Sequence, residues 1–556
     1  MLSRYVPVLS WIKTYKLTYI RYDLIAGATI WAVMVPTALA YTSIAGVDPI
    51  IGLYTVPLTL FMYAIFGTSK CLVVGPDSAT ALLSAHIVGT LTTIHTAHYL
   101  MLTSALALFI GSIFIVFGIF RMGWIAHFIS IPVMRSFIQG LAIVTMMTQL
   151  PKLFGVASAG GNFIHRFLSL IHHLHATHFI TLGIGLGSIL LLYLIPRISP
   201  RLPSAIITVI IGIIVVAVFD LEKRGVAVVG SIQGSLPPMD VPHFAVSDIS
   251  TLLCGALAIV LLNYTESLGA AKEAAEIRGE KVDTNQELIG LGAANIGASL
   301  SSGFVVAGSL SQSTVSMLAG GKTQMSNVFH AVLIILTLLF LMPLFQNLPL
   351  AVLGAIVTYA MLKVMNVSVF TSLFKADRPE FWIGVVTFVA VLLLGVLEGV
   401  GAGILLSLGL LIYHNTHPDF DILGKMEGAD DFRSIAMHPD ARQFDHILIV
   451  RFGTSLFFAN ANYFVDQLRH LTYHNDNVIR HIIVDVERAA HMDITARILI
   501  EKLHQDLEKR GINLSFARVN DDIRAEFAKM IEKKELCSLH LFDTISAAVA
   551  SLDATS

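Results

Sequence analysis

The chain has 556 residues, of which 55% are hydrophobic and only 13% are charged, and its formal net charge is −2. A soluble globular protein carries about 25% charged residues, so this class is excluded for most of the chain, and the near-neutral charge gives no indication of a nucleic-acid partner. No Asp, Glu, Lys or Arg occurs between Asp77 and Arg121, or between Glu287 and Lys322. Because a membrane-spanning helix needs about 20 predominantly apolar residues, these stretches are predicted to lie in a lipid bilayer.

The composition changes along the chain and predicts four parts. Residues 1–22 mix polar and apolar side chains and are expected to form a cytoplasmic N-terminal segment. Residues 23–414 are a series of apolar stretches and are expected to form the transmembrane domain. Residues 415–440 are rich in Gly, Asp and His and are interpreted as a linker, and residues 441–556 have the composition of a soluble domain.

Fourteen apolar segments are candidate spans, and they fall into two sets of seven. The first set lies near 24–45, 49–67, 76–93, 98–120, 131–150, 178–196 and 202–219. The second set lies near 249–273, 286–300, 308–321, 324–344, 349–367, 380–397 and 399–414. An odd-numbered set inverts when it is repeated, so the fold class predicted is an α-helical polytopic membrane protein with a 7+7 inverted repeat.

Basic residues orient these spans. With the N-terminus inside, Lys70, Arg121 and Arg197 fall at inner ends, whereas Lys152 and Lys223 fall outside. The excess at inner ends agrees with the positive-inside rule. We therefore expect a multi-pass protein of the cell (inner) membrane with both termini in the cytoplasm.

Two short segments, one in each set, resemble each other. Val73–Ala85 reads VVGPDSATALLSA and Val305–Leu318 reads VVAGSLSQSTVSML. Matched, interrupted segments of this kind are the best sequence indication of a transporter's site near the bilayer midplane. If each is a half-helix, two partly positive helix N-termini meet there and form an anion site without lysine or arginine.

Hydroxyl and amide side chains of these segments are candidate ligand donors. They are Ser78 and Thr80 in the first segment and Ser309, Ser311, Gln312 and Ser313 in the second. The alternative is that these small polar residues only allow helices to pack closely.

Several stretches resemble the sulfate permease (SulP) family. Val35–Tyr54 reads VPTALAYTSIAGVDPIIGLY, like the family's first span, and Gly75-Pro76-Asp77-Ser78-Ala79 resembles the start of its third span. Glu266–Ile296, with NQEL and AN, and Ser309–Ser326, ending in AGGKTQMS, resemble later spans. The resemblance covers nearly the whole chain in order. It implies core and gate domains, an elevator-like movement of the core and a homodimer.

The resemblance also implies site residues. Thr37 and Tyr41 correspond to family positions that face the substrate, and Ser78, Ala79, Ser311, Gln312 and Ser313 lie in the segments that bind it. Tyr41 has the alternative role of packing between helices. Many members carry an arginine where this chain has Gln312, and a glutamine amide donates hydrogen bonds without adding a charge.

Two carboxyl groups, Asp77 and Glu266, lie in the same implied site. An anion beside two ionised carboxylates is strongly repelled, and protons are the simplest neutralising cations, followed by sodium. We expect a secondary active transporter of a small anion (sulfate, bicarbonate or a dicarboxylate), coupled to protons mainly through Glu266. Asp77 has the alternative role of a helix N-cap, and Glu266 that of a structural hydrogen bond.

Other functions stay open to different degrees. A sodium-coupled bicarbonate symporter, an anion exchanger and a channel-like anion conductor all suit the same cavity, whereas the resemblance argues against a nucleobase carrier.

No nucleophile–base pair points to an enzyme. Neither the three cysteines nor the histidines at positions 86, 95 and 98 have the spacing of a metal site. His330 is expected to be buried and neutral rather than a proton relay. No cofactor is expected beyond a co-transported cation.

The C-terminal domain is predicted to be an α/β unit. A strand from His446 and a second short strand precede a helix from about Ala461, and a strand at 481–486, a helix at 493–507 and a strand at 513–517 follow. The stretch FFANANYF and the order of elements resemble a STAS domain, which implies a regulatory role and binding of a cytoplasmic protein or a nucleotide.

A loop of this domain carries a candidate regulatory residue. By the same resemblance, Thr495 holds the position that is phosphorylated in related domains. A phosphate there would lie at a helix N-terminus, which accommodates negative charge. The alternative is that Asp493 or Thr495 only caps the helix.

Overall fold

The computed structural model describes residues 6–94, 96–157, 161–199, 202–230, 234–366, 368–428, 430–473, 479–532 and 539–553. The chain forms two compact units, Met1–Ser407 and Leu408–Ser556. Each unit is described by itself.

The first unit is helical. Its helices are α1 (Val8–Trp11), α2 (Ile20–Ala45), α3 (Pro49–Phe66), α4 (Ser78–Gly89), α5 (Ala97–Ile119), α6 (Ile131–Phe154), α7 (Phe163–His173), α8 (Phe179–Ile198), α9 (Ser204–Val218), α10 (Ile249–Arg278), α11 (Thr284–Leu300), α12 (Leu310–Leu318), α13 (Met325–Leu336), α14 (Leu350–Val364), α15 (Ser368–Ala376), α16 (Arg378–Leu393) and α17 (Val396–Thr416). A π turn over Thr337–Leu341 and a 3₁₀ turn over Met342–Phe345 extend α13.

Each of the fourteen apolar segments predicted from the sequence overlaps one of these helices. Within the described residues, nine helices are long and apolar enough to cross a membrane, and α4 and α9 are shorter apolar helices. The helical class is therefore confirmed. The count of fourteen spans stays a prediction, because α12 has only 9 residues.

The two matched segments are interrupted helices, as predicted. Strand β1 (Val73–Pro76) precedes α4, and strand β2 (Val306–Ser309) precedes α12. The two strands pair antiparallel, with Val73 opposite Ser309 and Pro76 opposite Val306. The two short helices therefore begin at opposite ends of one two-stranded ladder, which is the arrangement expected of an inverted repeat.

Buried amide side chains hold the β2 strand. Asn263 Nδ2 of α10 and Asn295 Nδ2 of α11 donate to Val306 O at 2.8 and 3.1 Å. Val306 N donates to Asn295 Oδ1 at 3.1 Å, and Gly308 N donates to Ser267 Oγ at 2.8 Å. These bonds satisfy extended backbone that has no water to bind inside a membrane.

A second pair of amides holds the chain that leads into β1. Gln324 Nε2 donates to Ser69 O at 2.6 Å and to Leu72 O at 3.1 Å. Asn327 Nδ2 of α13 donates to Leu72 O at 2.9 Å. Each strand is thus anchored by side chains of neighbouring helices.

The helices pack into two groups. The first helix group consists of α2, α3, α4, α5, α10, α11, α12 and α13, and the second helix group of α6, α8, α9, α14, α16 and α17. Helix α2 contacts α9 and α14 of the second group, and α4 contacts α6. Within the first group α5 and α11 are in close contact, because a methyl group on Gly292 would lie 2.8 Å from Gly111 O.

Two buried carboxylates fasten loops within the first helix group. Glu287 of α11 is fully buried and accepts from Tyr63 Oη at 2.7 Å, from the backbone N–H groups of Thr68 and Ser69 at 2.8 Å, and from the Thr68 hydroxyl. Asp23 of α2 accepts from Lys322 N at 2.5 Å, and from Thr323 N and Oγ1 at 3.1 and 2.8 Å. Both carboxylates hold chain segments distant in sequence.

The second unit contains a six-stranded sheet of order β4-β3-β5-β6-β7-β8. The strands are β3 (Phe420–Lys425), β4 (Phe432–Ser434), β5 (Ile447–Phe452), β6 (His481–Asp485), β7 (Asn513–Ala517) and β8 (His540–Phe542). The helices are α18 (Ala461–Tyr473), α19 (Ile494–Lys509), α20 (Asp521–Glu532) and α21 (Ile545–Asp553). Strands β5 to β8 are parallel, which confirms the predicted α/β core.

Two predictions for this unit need correction. The segment 415–440, interpreted as a linker, contains β3 and β4, and β3 pairs antiparallel with β5. The polar composition of this segment hid β4, which is an edge strand, and β3, which pairs with β4 on one side and with β5 on the other. The second short strand expected before α18 is reduced to a single bridge between Leu456 and Met492.

The Glu287 contacts predict a large effect on stability. Replacing Glu287 with Ala removes the acceptor of four donors on Tyr63, Thr68 and Ser69, and each buried unpaired group costs about 1–3 kcal/mol. We expect Glu287→Ala to lower the unfolding temperature of the purified protein strongly or to prevent its accumulation in the membrane.

Glu280→Ala is the matched control, because Glu280 forms a partly exposed ion pair with Lys70 at 2.9 Å. Such pairs contribute about 0–1 kcal/mol. Equal unfolding temperatures for the two variants in detergent would contradict the structural role of Glu287.

Candidate functional site

The β1–β2 ladder places the starts of α4 and α12 between two long helices. Both α2 and α10 pack against both short helices. The residues predicted to bind substrate come from α2, α4 and α12, and the predicted coupling residue Glu266 comes from α10. The fold thus brings together elements that lie more than 200 residues apart along the chain, such as β1 and β2.

The start of α4 is capped by Asp77. Its Oδ2 accepts from Ala79 N at 2.8 Å and from Thr80 N at 3.3 Å. The alternative role weighed for Asp77, an N-cap, is therefore observed. Two of the amide groups expected to face an anion are bound by this carboxylate instead, so α4 offers fewer free donors than its position suggested. The side chains of Ser78 and Ala79 are buried beside them.

The start of α12 leaves more donors free. Ser309 Oγ accepts from Gln312 N at 3.4 Å. The first N–H groups of a helix have no intrahelical partner, and this cap leaves those of Leu310 and Ser311 available. The Ser311 side chain is exposed. Of the two helix starts, α12 has no carboxylate of its own and is the better anion donor.

The Ser313 hydroxyl, predicted to contact the substrate, is bonded within the protein. Its hydroxyl donates to Ser309 O at 2.6 Å and accepts from Val73 N at 2.9 Å. The single proton of the hydroxyl is therefore used within the protein. Ser313 connects α12 to β1 and has no proton left to donate to a ligand.

Gln312 lies beside the ladder with an unused acceptor. Its Nε2 approaches Met34 Sδ at 3.4 Å, and its Oε1 is buried without a hydrogen-bond partner among the described residues. Only 5% of the residue is exposed. Met34 also fills the space next to Gly75, where a Cβ would lie 2.5 Å from Met34 Cε. A sulfur is a weak acceptor, so the amide of Gln312 is free to exchange this contact for a ligand.

Two carboxyl groups and a phenol face the same region. Asp77, Glu266 and Tyr41 lie close enough to interact electrostatically. Within the described chain neither Asp77 nor Glu266 forms an ion pair. Thr37, one turn before Tyr41, donates to Val33 O at 3.0 Å and to Met34 O at 3.1 Å, and both residues are half-buried. The site therefore holds two acidic groups, and no described residue places a cation beside them.

Several important residues were not singled out from the sequence. These are Met34, the amides Asn263, Asn295, Gln324 and Asn327, and the carboxylates Asp23 and Glu287. Polar side chains inside apolar segments are the signal that could have found them. NQEL, AN and KTQMS were noted only as family motifs, without a role for each residue.

The histidines form no metal site in the part of the chain that the structure describes, where no three His, Cys, Asp or Glu side chains are grouped suitably. His95 lies outside the described residues. His330 is fully buried, and neither ring nitrogen has a partner in the described structure.

In the second unit, Asp493 caps α19. Its Oδ1 accepts from Ala496 N at 2.8 Å and its Oδ2 accepts from Phe458 N at 2.8 Å. Thr495 follows on the first turn and is exposed. The capping role discussed for this loop thus belongs to Asp493, and the Thr495 hydroxyl lies on the surface at a helix N-terminus.

Comparisons with known proteins agree with this architecture. The sulfate permease family matches residues 20–387, and the STAS domain family matches residues 438–548. The chain belongs to the sulfate permease family. This is a family of membrane transporters rather than enzymes, so the protein is a multi-pass integral membrane protein with a C-terminal STAS domain.

The relatives match over nearly the full length. A probable sulfate transporter of Mycobacterium tuberculosis is 32% identical over 537 residues, which cover 97% of this chain and 96% of the relative. The chloroplastic sulfate transporter 4.1 of Arabidopsis thaliana is 30% identical over 542 residues, which cover 94% of this chain and 79% of the relative.

Solved structures support the fold. The SLC26A9 structure matches with a TM-score of 0.93 and 22% identity, over 100% of this chain and 93% of that one. Murine Slc26a9, an anion transporter in the inward-facing state, matches with a TM-score of 0.91 and 23% identity, over 99% and 94%. The transmembrane domain of the cyanobacterial bicarbonate transporter BicA matches with 0.62 and 22% identity, over 70% and 98%.

The free amide of Gln312 predicts a binding effect. Gln312→Leu replaces the amide with an apolar side chain of similar size. We expect the Kd for sulfate to rise about tenfold, the equivalent of one hydrogen bond of about 1.4 kcal/mol. The measurement is the shift in unfolding temperature with increasing sulfate concentration.

Thr314→Val is the control on the same helix, because Thr314 Oγ1 donates to Leu310 O at 2.9 Å. This variant is expected to keep the Kd within about twofold, a change of less than 0.5 kcal/mol. A Gln312→Leu protein that binds sulfate like the wild type would remove Gln312 from the site.

Proposed function

We propose that this protein is a secondary active transporter that moves sulfate together with protons by an elevator-like mechanism. The observation that carries the proposal is the start of α12, with free N–H groups and the Gln312 amide, beside two carboxyl groups and no cation. Sulfate is favoured because relatives that match over nearly the full length are named sulfate transporters. Bicarbonate and dicarboxylates are the alternatives of similar chemistry.

The charges of the site argue for a co-transported cation. At 4 Å and an effective dielectric constant of about 20, two unit charges interact by about 4 kcal/mol. Sulfate beside ionised Asp77 and Glu266 is therefore strongly repelled, whereas protonated carboxyl groups donate hydrogen bonds to it. The anion and the protons therefore each favour the binding of the other, which is the thermodynamic coupling that symport requires.

Glu266 is the better coupling residue of the two. Asp77 is bound to the backbone N–H groups of Ala79 and Thr80, which stabilise its ionised form as a helix cap. Within the described residues Glu266 has no hydrogen-bond or ion-pair partner that fixes its charge. Glu266 is thus free to gain and lose a proton during each transport cycle.

The two helix groups support alternating access. The first helix group contains β1, β2, the two short helices, Glu266 and Tyr41, so all proposed binding residues move as one body. Its contacts with the second helix group are made largely by α2. We propose that the first group is the moving core and the second group the fixed gate.

Further proposals concern the setting of this activity. We place the protein in the inner membrane with both termini in the cytoplasm, with the domain limits given above except for the strands found within 415–440. We also propose a homodimer, a STAS domain that binds a cytoplasmic protein or nucleotide, and phosphorylation at Thr495. The exposed hydroxyl of Thr495 at the start of α19 supports the last of these.

Removing the titrating groups predicts loss of coupling. In proteoliposomes with an inward proton gradient, wild-type protein is expected to accumulate sulfate against its gradient. Glu266→Gln is expected to abolish accumulation, a loss of at least about tenfold, because it cannot release or gain a proton. Asp77→Asn keeps the N-cap, since Asn caps as well as Asp, and is expected to reduce accumulation less.

Glu276→Gln is the control for this experiment, because Glu276 is exposed on the same helix α10. Full gradient-driven accumulation by Glu266→Gln would exclude Glu266 as the carrier. Accumulation driven by sodium alone would favour sodium coupling. Transport that requires an anion on the opposite side would identify an exchanger, and currents far above carrier rates would identify a channel.

The elevator-like movement predicts that joining the two helix groups stops transport. His86 of α4 and Glu398 of α17 lie in different groups, with Nε2 and Oε1 3.2 Å apart. After the native cysteines are replaced by serine, His86→Cys and Glu398→Cys are combined and joined by a short bifunctional thiol reagent. We expect at least about tenfold slower sulfate uptake, restored by reductive release of the reagent.

Each single cysteine variant treated with the same reagent is the control and is expected to stay active. Unchanged uptake by a fully joined double variant would show that these two groups need not separate. Mass spectrometry gives the fraction joined.

A further inference from the structure

Lys152 is an isolated cation in the membrane unit. It lies in the last turn of α6, three residues before the helix is capped by Gly155. In the helices that overlap the predicted spans, every other lysine or arginine lies toward the face where the N-terminus enters, if the fourteen helices cross in turn. These residues are Arg21, Arg135, Arg197, Lys272, Arg278, Lys363 and Arg378. Among the basic residues of these helices, Lys152 alone lies near the opposite face, here called the outer face, where Arg166 of α7 and the loop residues Lys223 and Arg224 also lie.

The ammonium group of Lys152 has no acidic partner among the described residues. Its Nζ donates to Gln149 Oε1 at 3.1 Å, and the side chain is half-buried. An ammonium group has three donors, so one amide oxygen leaves most of its capacity unused. The stem packs beside α14 at Gly354, where a Cβ would lie 3.4 Å from Lys152 Cβ.

The same amide connects the two helix groups. Gln149 is fully buried, and its Oε1 lies 3.4 Å from Ser43 Oγ of α2, whose hydroxyl donates at the shorter distance of 2.6 Å to Ala40 O. Ser43 lies about 3 Å farther along the axis of α2 toward the outer face than Tyr41. Ser43, Gln149 and Lys152 therefore lie in series from α2 of the first helix group to the cation on α6 of the second.

We propose that Lys152 is the outer-face anion contact of the transport pathway. When the first helix group moves away from the second, α2 separates from Gln149, and the unused donors of the ammonium group become accessible to an anion that enters from outside. This supplies near the outer face the positive charge that the site between α4 and α12 lacks. The inference rests on the proposed anion transport and adds the residue that captures the substrate.

A structural role is the alternative that the experiment must separate. A cation in the last turn of a helix also interacts favourably with the helix dipole. Loss of a cation with only this role lowers the stability of the protein, but it does not change the affinity for substrate selectively at one face of the membrane. The readout is therefore the KM for sulfate measured separately from the two faces. Uptake by cells reports the outer face, and efflux from preloaded cells reports the inner face.

Lys152→Gln is expected to raise the KM for sulfate uptake about tenfold, equivalent to about 1.4 kcal/mol, with a maximal rate within about twofold of the wild type. The KM for efflux is expected to stay unchanged. Lys152→Arg keeps the charge and is expected to keep the KM for uptake within about twofold. Lys223→Gln is the control, because Lys223 lies in an outer loop and is already paired with Asp220 at 2.9 Å.

An uptake KM for Lys152→Gln within about twofold of the wild type would overturn the proposal, and so would an equal rise in the KM values for uptake and efflux. If Lys152→Gln does not reach the membrane, Lys152→Met keeps the unbranched stem and decides the same question. Wild-type cells that take up no sulfate, bicarbonate or dicarboxylate above control cells would instead refute the proposed function.

Discussion

The structure depends on one constraint: inside a membrane every backbone N–H and C=O group must find its partner within the protein. A transporter with two helices interrupted at the bilayer centre exposes such groups at the interruptions. Here β1 and β2 satisfy each other by pairing, and side-chain amides of α10, α11 and α13 satisfy the groups that pairing leaves over. The donors that remain at the start of α12 are then available to a ligand, because the backbone of the two strands beside them is already bonded.

The same requirement explains why the site is acidic rather than basic. Asp77 satisfies part of the start of α4, which strengthens the helix but removes donors and adds a negative charge. With a glutamine at position 312, no cation among the described residues compensates that charge. Under the proposed mechanism such a site binds an anion well only together with a cation, and this dependence couples the two movements. An isolated lysine near the far end of the pathway fits such a site better than one within it, since a lysine next to Glu266 would hold that carboxylate ionised.

Much of this fold could be predicted from the sequence, because long apolar stretches and the repeat of VVGPDS and VVAGSL are properties of local sequence. The fourteen helix positions, the two short helices and the α/β core of the second unit follow from such patterns. The partners of Glu287 and Asn295 could not be predicted, since they depend on which distant helices pack together. Strands β3 and β4 were missed for a different reason: the polar residues of the segment that contains them resemble a loop, although β3 lies inside the sheet between β4 and β5. Ser313 was placed in the site by its position in the motif, but the structure shows that its only proton is used by Ser309 O.

The contact of Asp23 with Lys322 and Thr323 has a consequence for how the protein is made. The carboxylate and its donors are separated by 299 and 300 residues. A ribosome adding about 10 residues per second needs roughly 30 seconds to cover that distance. During this interval α2 is already at the membrane, and the Asp23 carboxylate lacks its final partners. Tyr63 likewise lacks its partner until Glu287 is synthesised. The first repeat therefore cannot complete its hydrogen bonds before the second is synthesised. A chain that stops between the two repeats leaves an incomplete membrane domain, in which unpaired charges are a signal for quality control.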